Sequence, residues 1–369
     1  MRRFMTAGLL ALLACSGDGL DGLDGVWREG EGWRLEVVWQ VGGADAEGPT
    51  AFGDVRAVAV DASDRAWVLD AMAKHLVVLD AEGNVVRTVG HQGGGPGEFN
   101  NLYGVGIGPD QKVWVPDPMN VRFSIFDTAG TLLGMYRRPA SCFMAVWPGA
   151  VLRDGRVLDI FCADLGTGSA FVLGQFDTLA LDYVDTLPIP LARSEGDPEP
   201  WYEFSGSMVA IPFQPNTAWD LTRDGTIWTG WAGRYTIYHR TLNGDGLGRV
   251  SRTVTPASVR STERDSAVAR LRRLVPGADF DASRIPSTHP HFAAFAASDD
   301  RYLWVYRQIA EGIVLDVFDP DGRFLGVVAP PEGFPLNPYH PAVIRGNDMW
   351  LITTDRDGAN VVVRLRIVK

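Results

Sequence analysis

The sequence of 369 residues is 46% hydrophobic, so it holds enough apolar side chains to bury a core. Its net charge of −11, without any cluster of basic residues, argues against nucleic acid as a partner. Beyond the N-terminus, the sequence contains no apolar run long enough for a transmembrane helix.

The N-terminus has the pattern of a secretory signal peptide. Arg2 and Arg3 precede an apolar run over 7–14 that is too short to span a bilayer. The run ends in Leu12-Leu13-Ala14-Cys15, which resembles the bacterial lipobox. The resemblance implies cleavage before Cys15 and acylation of its thiol and new amine, and the loss of both arginines makes the mature chain more acidic by two charges. The alternative is an ordinary signal peptide followed by an incidental cysteine.

The residues after Cys15 indicate where the protein is held. Ser16 stands where lipoproteins retained in the enterobacterial inner membrane carry Asp, which favours the outer membrane. A Gly/Asp tract over 17–25 cannot bury a core and predicts a flexible tether. We therefore expect a signal peptide over 1–14, a lipidated tether over 15–32 and one folded domain over 33–369. The product would be an exported protein, anchored by lipid at the periplasmic face of a membrane or at the cell surface.

An internal repeat defines the folded domain. A shift of 47 positions superimposes the segment that begins at Ala46 on the segment that begins at Gly93. The shift aligns glycine, proline, apolar and aspartate positions alike: Gly48 with Gly95, Pro49 with Pro96, Phe52 with Phe99, Val58 with Val105, Trp67 with Trp114, Asp70 with Asp117, Met72 with Met119 and Asp80 with Asp127. Short apolar runs between Gly/Asp turns at such a period are typical of β-propeller blades.

The first repeat shows how a blade is organised. Small residues around Val58 suit an inner strand, because the inner strands converge on the channel. Trp67 lies on the second strand, where neighbouring blades pack face to face. The third strand, 76–79, ends in a turn at Asp80 to Gly83, and 85–89 is the fourth strand.

The same pattern continues to the C-terminus and predicts an all-β, six-bladed β-propeller with four-stranded blades. Blade three is degraded, with Arg153-Asp154-Gly155 as its turn and no tryptophan in its second strand. Blade six ends with its third strand, 361–368, so we expect Trp33 to Val41 to supply the fourth strand and close the ring.

One segment departs from the β pattern. Residues 258–277, between blades four and five, hold Val268, Leu271 and Leu274 at helical spacing, with acidic residues early and arginines late. This predicts an inserted amphipathic helix, which is either a lid over the channel or a decoration packed on a blade edge.

Two cysteines remain besides Cys15. Cys142 and Cys162 could form a disulfide in an oxidising compartment. If Leu152 faces Val157 across the blade-three turn, however, Cys162 lies opposite Trp147 instead. The sequence leaves both the disulfide and the free thiols open.

Several motifs follow one another in the second repeat: Gly94-Gly95-Pro96-Gly97-Glu98-Phe99, a small-residue strand, a Val-Trp-Val-x-Asp strand and a Phe-Asp-x-x-Gly turn. Together they resemble the NHL-type six-bladed propellers of bacterial envelopes. The resemblance covers about 33–369. It implies the fold but no activity, because such propellers include binding modules, scaffolds and a few metal-dependent enzymes.

Candidate binding residues lie where the inner strands begin. Alignment of these strands places five polar side chains at the mouth of the channel, with Met144 as the blade-three equivalent: Arg56, Tyr103, Thr217, His291 and His340. The loops between second and third strands add further polar candidates, namely Asp70, Lys74, His75, Asp117, Asn120, Arg122, Trp231, Arg234, Glu311 and Asp355. These residues form a ligand site or merely solvate the channel.

Two enzyme functions are alternatives to a binding or scaffold module. Glu47-Gly48-Pro49 invites comparison with the calcium-binding gluconolactonase-like propellers, but Glu47 lies well before the inner strand and should not reach the axis. His289, His291 and His340 resemble part of the zinc site of amidating-lyase propellers, although their spacing matches no compact zinc motif. We expect no catalytic residue.

The sequence thus favours an envelope-anchored propeller that binds a small molecule or an envelope protein through its channel mouth. We expect a monomer without a cofactor. The alternative is a Ca- or Zn-dependent lyase or hydrolase with an axial metal.

Overall fold

The computed structural model describes residues 25–28, 30–138, 151–161, 170–176, 181–188, 194–204 and 207–369. The signal peptide, Cys15, Cys142, Met144 and Cys162 lie outside these ranges. The described strands form five four-stranded antiparallel sheets, one three-stranded sheet and one separate hairpin. The four-stranded sheets are the blades of an all-β propeller, because their inner strands contact one another around a central channel.

The first two blades follow strand β1, which spans Arg34–Gly42. Blade 1 consists of β2 (Val55–Val60), β3 (Ala66–Asp70), β4 (His75–Leu79) and β5 (Val85–Val89). Blade 2 consists of β6 (Gly106–Ile107), β7 (Val113–Asp117), β8 (Arg122–Phe126) and β9 (Leu132–Arg137). Short 3-10 turns at Gly48–Thr50 and Pro118–Asn120 lie in the connections.

The middle of the chain is less regular, and the four-stranded sheets that follow it are numbered 4 to 6, as in the series of six blades predicted from the sequence. The three-stranded sheet contains β10 (Val157–Phe161), β11 (Ala170–Phe176) and β12 (Leu181–Pro188). A hairpin follows, made of β13 (Trp201–Phe204) and β14 (Ser207–Ala210). Blade 4 consists of β15 (Thr217–Leu221), β16 (Thr226–Trp231), β17 (Thr236–Thr241) and β18 (Gly246–Ser251).

The C-terminal part begins with helix α1, Ser261–Leu274, inside the stretch predicted to be helical. A 3-10 turn at Ala282–Arg284 follows it. Blade 5 consists of β19 (Ala294–Ala297), β20 (Leu303–Ile309), β21 (Gly312–Phe318) and β22 (Phe324–Val328). Blade 6 begins with β23 (Val343–Arg345), β24 (Asp348–Thr354) and β25 (Asn360–Val368). None of the helices described is long and apolar enough to cross a membrane.

The N-terminal strand completes blade 6. β1 pairs antiparallel with β25, from Arg34 opposite Val368 to Gly42 opposite Val361. The prediction of closure by the N-terminus is therefore confirmed, with the strand displaced by one residue from the expected 33–41. Pairing β1 in this way covers the edge of β25, which would otherwise offer unpaired backbone groups to other chains.

The core lies between neighbouring blades. Tryptophans on the second strands fill it, and Trp67, Trp114, Trp304 and Trp350 are all buried, as the sequence predicts. Aspartates close the turns between strands: Asp80 accepts hydrogen bonds from the backbone N–H groups of Glu82 and Asn84. Such turns fix the strand register without using up apolar residues.

Two connections form a separate structure at one end of the propeller. The hairpin β13–β14 and helix α1 share an apolar cluster that includes Tyr202, Ile211 and Leu271. The Tyr202 hydroxyl donates to the carbonyl of Asp281, and Arg284 donates to two carbonyls of the hairpin segment. We call this unit, which comprises 194–204, 207–213 and 261–285, the cap. The helix thus packs on a hairpin rather than on a blade edge.

Candidate functional site

The channel has two ends with different chemistry. We call the end where the inner strands begin, near Arg56 and His340, the loop face. The end where the inner strands turn into the second strands, near Asp61 and Asp224, is the turn face. Because each blade is antiparallel, the second-to-third loops and the cap connections also belong to the loop face.

Three of the predicted mouth residues meet at the loop face. The guanidinium carbon of Arg56 lies 5.2 Å from the centroid of the Tyr103 ring. The imidazole of His340 hydrogen-bonds to the backbone of Arg56, and burial lowers the pKa of His340 despite that bond and the nearby charge of Asp54. Three of the five residues that the alignment placed at one level are therefore neighbours in the structure.

The donors of Arg56 are nevertheless already used. Its Nε and Nη2 bind one oxygen of Asp54 at 2.8 and 2.7 Å, and its Nη1 approaches the carbonyl of Leu102 at 3.4 Å. Arg56, Tyr103 and His340 line neither of the two cavities described below. The group stabilises the junction of neighbouring inner strands more than it offers donors to a ligand.

The other two mouth residues stay with blade 4. Thr217 begins β15, and its backbone N–H donates to the side chain of Asn216. His291 bonds to Ala232, and burial lowers the pKa of its imidazole. Within the described ranges, no hydrogen bond, ion pair or ring contact joins either residue to Arg56.

The loop aspartates also have structural partners. Asp70 accepts the backbone N–H groups of Gly53, Asp54, Met72 and Ala73. Asp117, one repeat later, does the same for the backbone of Asn100, Asn101 and Asn120. Both carboxylates are buried and tie the second-to-third loop to the start of the inner strand. They hold the blade together rather than forming part of a ligand mouth.

The three histidines of the metal alternative are not assembled into a site. His289 lies 3.5 Å from Glu263 and against the ring of Phe213, whereas His291 and His340 have the partners given above. Among the residues that the structure describes, no group of three or more His, Cys, Asp or Glu side chains could hold a metal ion. Glu47 is exposed at the start of a 3-10 turn.

A cavity of about 710 Å³ opens at the turn face. The inner strands of blades 1, 2, 4, 5 and 6 line it, together with the turns that follow β15 and β19. Blade 4 contributes most of the polar wall, because its second and third strands also reach the cavity through Trp228 and His239. None of the residues predicted for the mouth belongs to this wall.

Four arginines surround the cavity, namely Arg153, Arg223, Arg301 and Arg345. Among the described residues, Arg345 alone of these four has partners for its guanidinium, since it binds Asp299 at 3.2 Å and the carbonyls of Val60 and Asp61. Within the described part of the chain, the side chains of the other three make no hydrogen bond or ion pair. The cavity thus carries cationic donors that the protein itself leaves open.

Arg223 is the arginine most affected by its surroundings. It is partly buried, and this burial lowers the pKa of its guanidinium, opposed by the charge of Asp299 and reinforced by Arg345 and Arg153. A bound anion would therefore reduce the repulsion between these positively charged guanidinium groups.

Asp220 faces the same cavity from the inner strand of blade 4. It accepts a hydrogen bond of 2.7 Å from the backbone N–H of Ala297 on the neighbouring inner strand. Burial raises the pKa of its carboxyl to about 6, against the effect of that bond. Asp220 therefore changes charge close to neutral pH inside a cavity lined with arginines.

A hydrogen-bonded network forms the wall beside Arg223. The Thr226 hydroxyl lies 2.7 Å from Nε2 of His239 and 2.8 Å from the hydroxyl of Thr222, which in turn bonds to Asp224. The imidazole of His239 stacks on the indole of Trp228 with ring centroids 4.3 Å apart. Burial lowers the pKa of His239 despite the charge of Asp224. The ring is therefore neutral at pH 7.

The sequence contained a signal for this site. Arg153-Asp154-Gly155, predicted only as a turn, has an equivalent at Arg223-Asp224-Gly225 in blade 4, and Arg345-Gly346 lies at the corresponding end of the inner strand in blade 6. An arginine that recurs at the end of an inner strand in three repeats is placed at the channel rim by the fold itself.

Comparisons with known proteins bear on the fold. Residues 50–147 match a family model described as a 6-bladed beta-propeller. A Bacteroides fragilis protein whose name describes it as exported superimposes with a TM-score of 0.51 at 15% identity, over 91% of this chain and 96% of that one. The family model thus supports a β-propeller, and the superposition on the exported protein extends the similarity of fold over most of the chain.

Two enzymes superimpose more loosely. A gluconolactonase from Xanthomonas campestris gives a TM-score of 0.44 at 12% identity, with 92% of this chain and 90% of the enzyme covered. The virginiamycin B lyase of Staphylococcus aureus gives 0.45 at 12% identity, with 91% and 100% covered. No curated protein sequence matches the chain.

Proposed function

We propose that the protein is a six-bladed ligand-binding propeller whose site is the turn-face cavity. The three-stranded sheet of β10–β12 takes the place of blade three in this arrangement, between the blade 2 and blade 4 interfaces that Val157 and Leu158 help to form. The ligand carries an anionic group, either a carboxylate or a phosphate.

The single observation that carries this proposal is the set of open guanidinium groups at the cavity. Arg153, Arg223 and Arg301 line the cavity without partners of their own in the described ranges. Four arginines and three aspartates line the cavity, which leaves it a net charge of +1 in a chain whose net charge is −11. Guanidinium groups bind planar and tetrahedral oxyanions through paired hydrogen bonds, which favours carboxylate or phosphate over a neutral ligand.

This proposal replaces the loop-face mouth with the opposite end of the channel. The contacts of Arg56 leave little donor capacity there, because Asp54 and the carbonyl of Leu102 occupy its N–H groups. A metal-dependent lyase or hydrolase has no donor set among the described residues to support it.

We further propose that the propeller is exported and anchored through Cys15. Support comes from the signal-like N-terminus, the lipobox-like residues before Cys15 and the Gly/Asp tract over 17–25. The absence of Asp after Cys15 favours the outer membrane, and we expect a monomer without a nucleic-acid partner or cofactor. The boundaries 1–14, 15–32 and 33–369 remain predictions.

Calorimetric titration of the purified protein with inorganic phosphate tests the site. We expect Arg223→Gln to weaken phosphate binding about tenfold or more, because it removes a partly buried charged donor. Arg56→Gln, at the other end of the channel, is the matched control and should leave the affinity within about twofold. Loss of binding in Arg56→Gln with normal binding in Arg223→Gln would instead place the site at the loop face.

A further inference from the structure

The turn-face cavity extends between blades 4 and 5. Its walls are Trp228 and His239 from blade 4, with Leu247 and Pro320 at the outer end. Trp228 packs against the cluster formed with blade 5, so this stacked pair projects from the face of blade 4 that meets blade 5. We call this space, bounded by those four residues, the slot.

The slot is open because the outer strand of blade 4 has a glycine, Gly248, beside His239. Gly248 pairs with His239 in the β17–β18 ladder, and paired residues in an antiparallel sheet project from the same face. A Cβ built on Gly248 would meet no atom within 4 Å. Among the described residues, none therefore fills the space beside Gly248 on the face that carries His239.

The surface of the slot is apolar. Leu247 is 51% exposed at its outer end, and Pro320 is also exposed. The neutral state of the His239 imidazole, which follows from its lowered pKa, leaves the stacked pair without charge at pH 7. The arginines lie around the cavity into which the slot opens, so a cationic region and an apolar region adjoin.

From this juxtaposition we infer that the ligand is an aromatic anion, whose charged group binds the cavity arginines while its flat ring occupies the slot beside Trp228 and His239. The inference rests on the proposed function, because the anion must bind in the turn-face cavity for the ring to reach the slot. A planar ring packs well beside a stacked aromatic pair and the apolar side chains of Leu247 and Pro320, and it loses little conformational entropy on binding.

Phenyl phosphate and inorganic phosphate test this inference, since they share the charged group and differ by the ring. Calorimetric titrations of both probes against the purified protein should show that phenyl phosphate binds about tenfold tighter or more. Gly248→Val fills the slot with a side chain and should reduce that preference to about twofold or less, with the affinity for inorganic phosphate unchanged.

The same strand supplies a matched control. Gly246 pairs with Arg240, which projects from the opposite face of the sheet, and a Cβ on Gly246 also meets no atom within 4 Å. Gly246→Val therefore adds the same side chain outside the slot and should keep the preference for phenyl phosphate. Retained phosphate binding in both variants shows that they are folded.

The possible outcomes separate the two proposals. Equal binding of the two probes would overturn the aromatic specificity and leave the anion site standing. A ring preference that survives in Gly248→Val would overturn the placement of the ring in the slot. If neither probe binds at all, the proposed function fails together with the inference.

Discussion

The two ends of the channel carry similar residue types but use them differently. At the loop face, Arg56 binds Asp54, and Asp70 binds four backbone N–H groups, so the polar atoms satisfy one another. At the turn face, Arg223 has no partner among the described residues and faces a cavity. A polar residue close to a channel is therefore evidence of a binding site only when its hydrogen-bonding groups have no partner within the protein.

The largest expected effect concerns stability at the loop face. Asp70→Ala removes the acceptor of four backbone donors and should cost about 2–4 kcal/mol in the free energy of unfolding, measured with denaturant. Asp224→Ala at the turn face removes contacts with threonine hydroxyls only and should cost less than about 1 kcal/mol. Equal losses of unfolding free energy in the two variants would show that the aspartates at the two ends have the same structural role.

A second prediction sharpens the chemistry of the turn face through pH. The carboxyl of Asp220, with its pKa raised to about 6, is ionised at pH 7.5 and mostly neutral at pH 5. Sulfate keeps its charge across this range, so at constant ionic strength it should bind about three- to tenfold tighter at pH 5 as the repulsion disappears.

Asp220→Asn is the control for that titration. The variant keeps every other ionisable group of the cavity, so only the part of the pH dependence that is due to Asp220 disappears. We expect the variant to bind sulfate more tightly at pH 7.5 and to show a flatter profile. An unchanged profile would remove Asp220 from the site.

The smallest expected effect compares the two arginines by their contribution to stability. Arg56→Gln breaks a partly buried ion pair and should cost about 1 kcal/mol, because Asp54 loses its partner. Arg223→Gln breaks no ion pair in the described part of the chain and relieves repulsion from Arg153 and Arg345, so it should change stability by less than about 0.5 kcal/mol. Thermal unfolding of both variants distinguishes these outcomes, and the reverse order would show that Arg223 is the structural arginine.

Much of the fold could be predicted because equivalent residues in successive repeats make equivalent contacts. Asp70 and Asp117, aligned by the 47-residue shift, bind equivalent backbone N–H groups, and Trp67 and Trp114 are both buried. The closing strand could be predicted for the same reason, because a blade that lacks its fourth strand must find one elsewhere.

The cap and the site were harder to predict. Helix α1 was expected from its spacing, but the hairpin β13–β14 that packs on it lies outside the repeat and has no counterpart in another blade. Alignment placed Arg56 beside Tyr103 and His340, yet it cannot report whether a neighbour such as Asp54 uses the donors of Arg56. The site depends on which donors remain open, and that is a property of packing.

The central claim is that an anion binds at the turn face rather than at the loop face. Crystals of the protein soaked in tungstate, with the anomalous signal of tungsten located by difference maps, test it most directly. We predict an anomalous peak within hydrogen-bonding distance of the Arg223 guanidinium inside the cavity of about 710 Å³. A peak beside Arg56 and His340, with none near Arg223, would contradict the account.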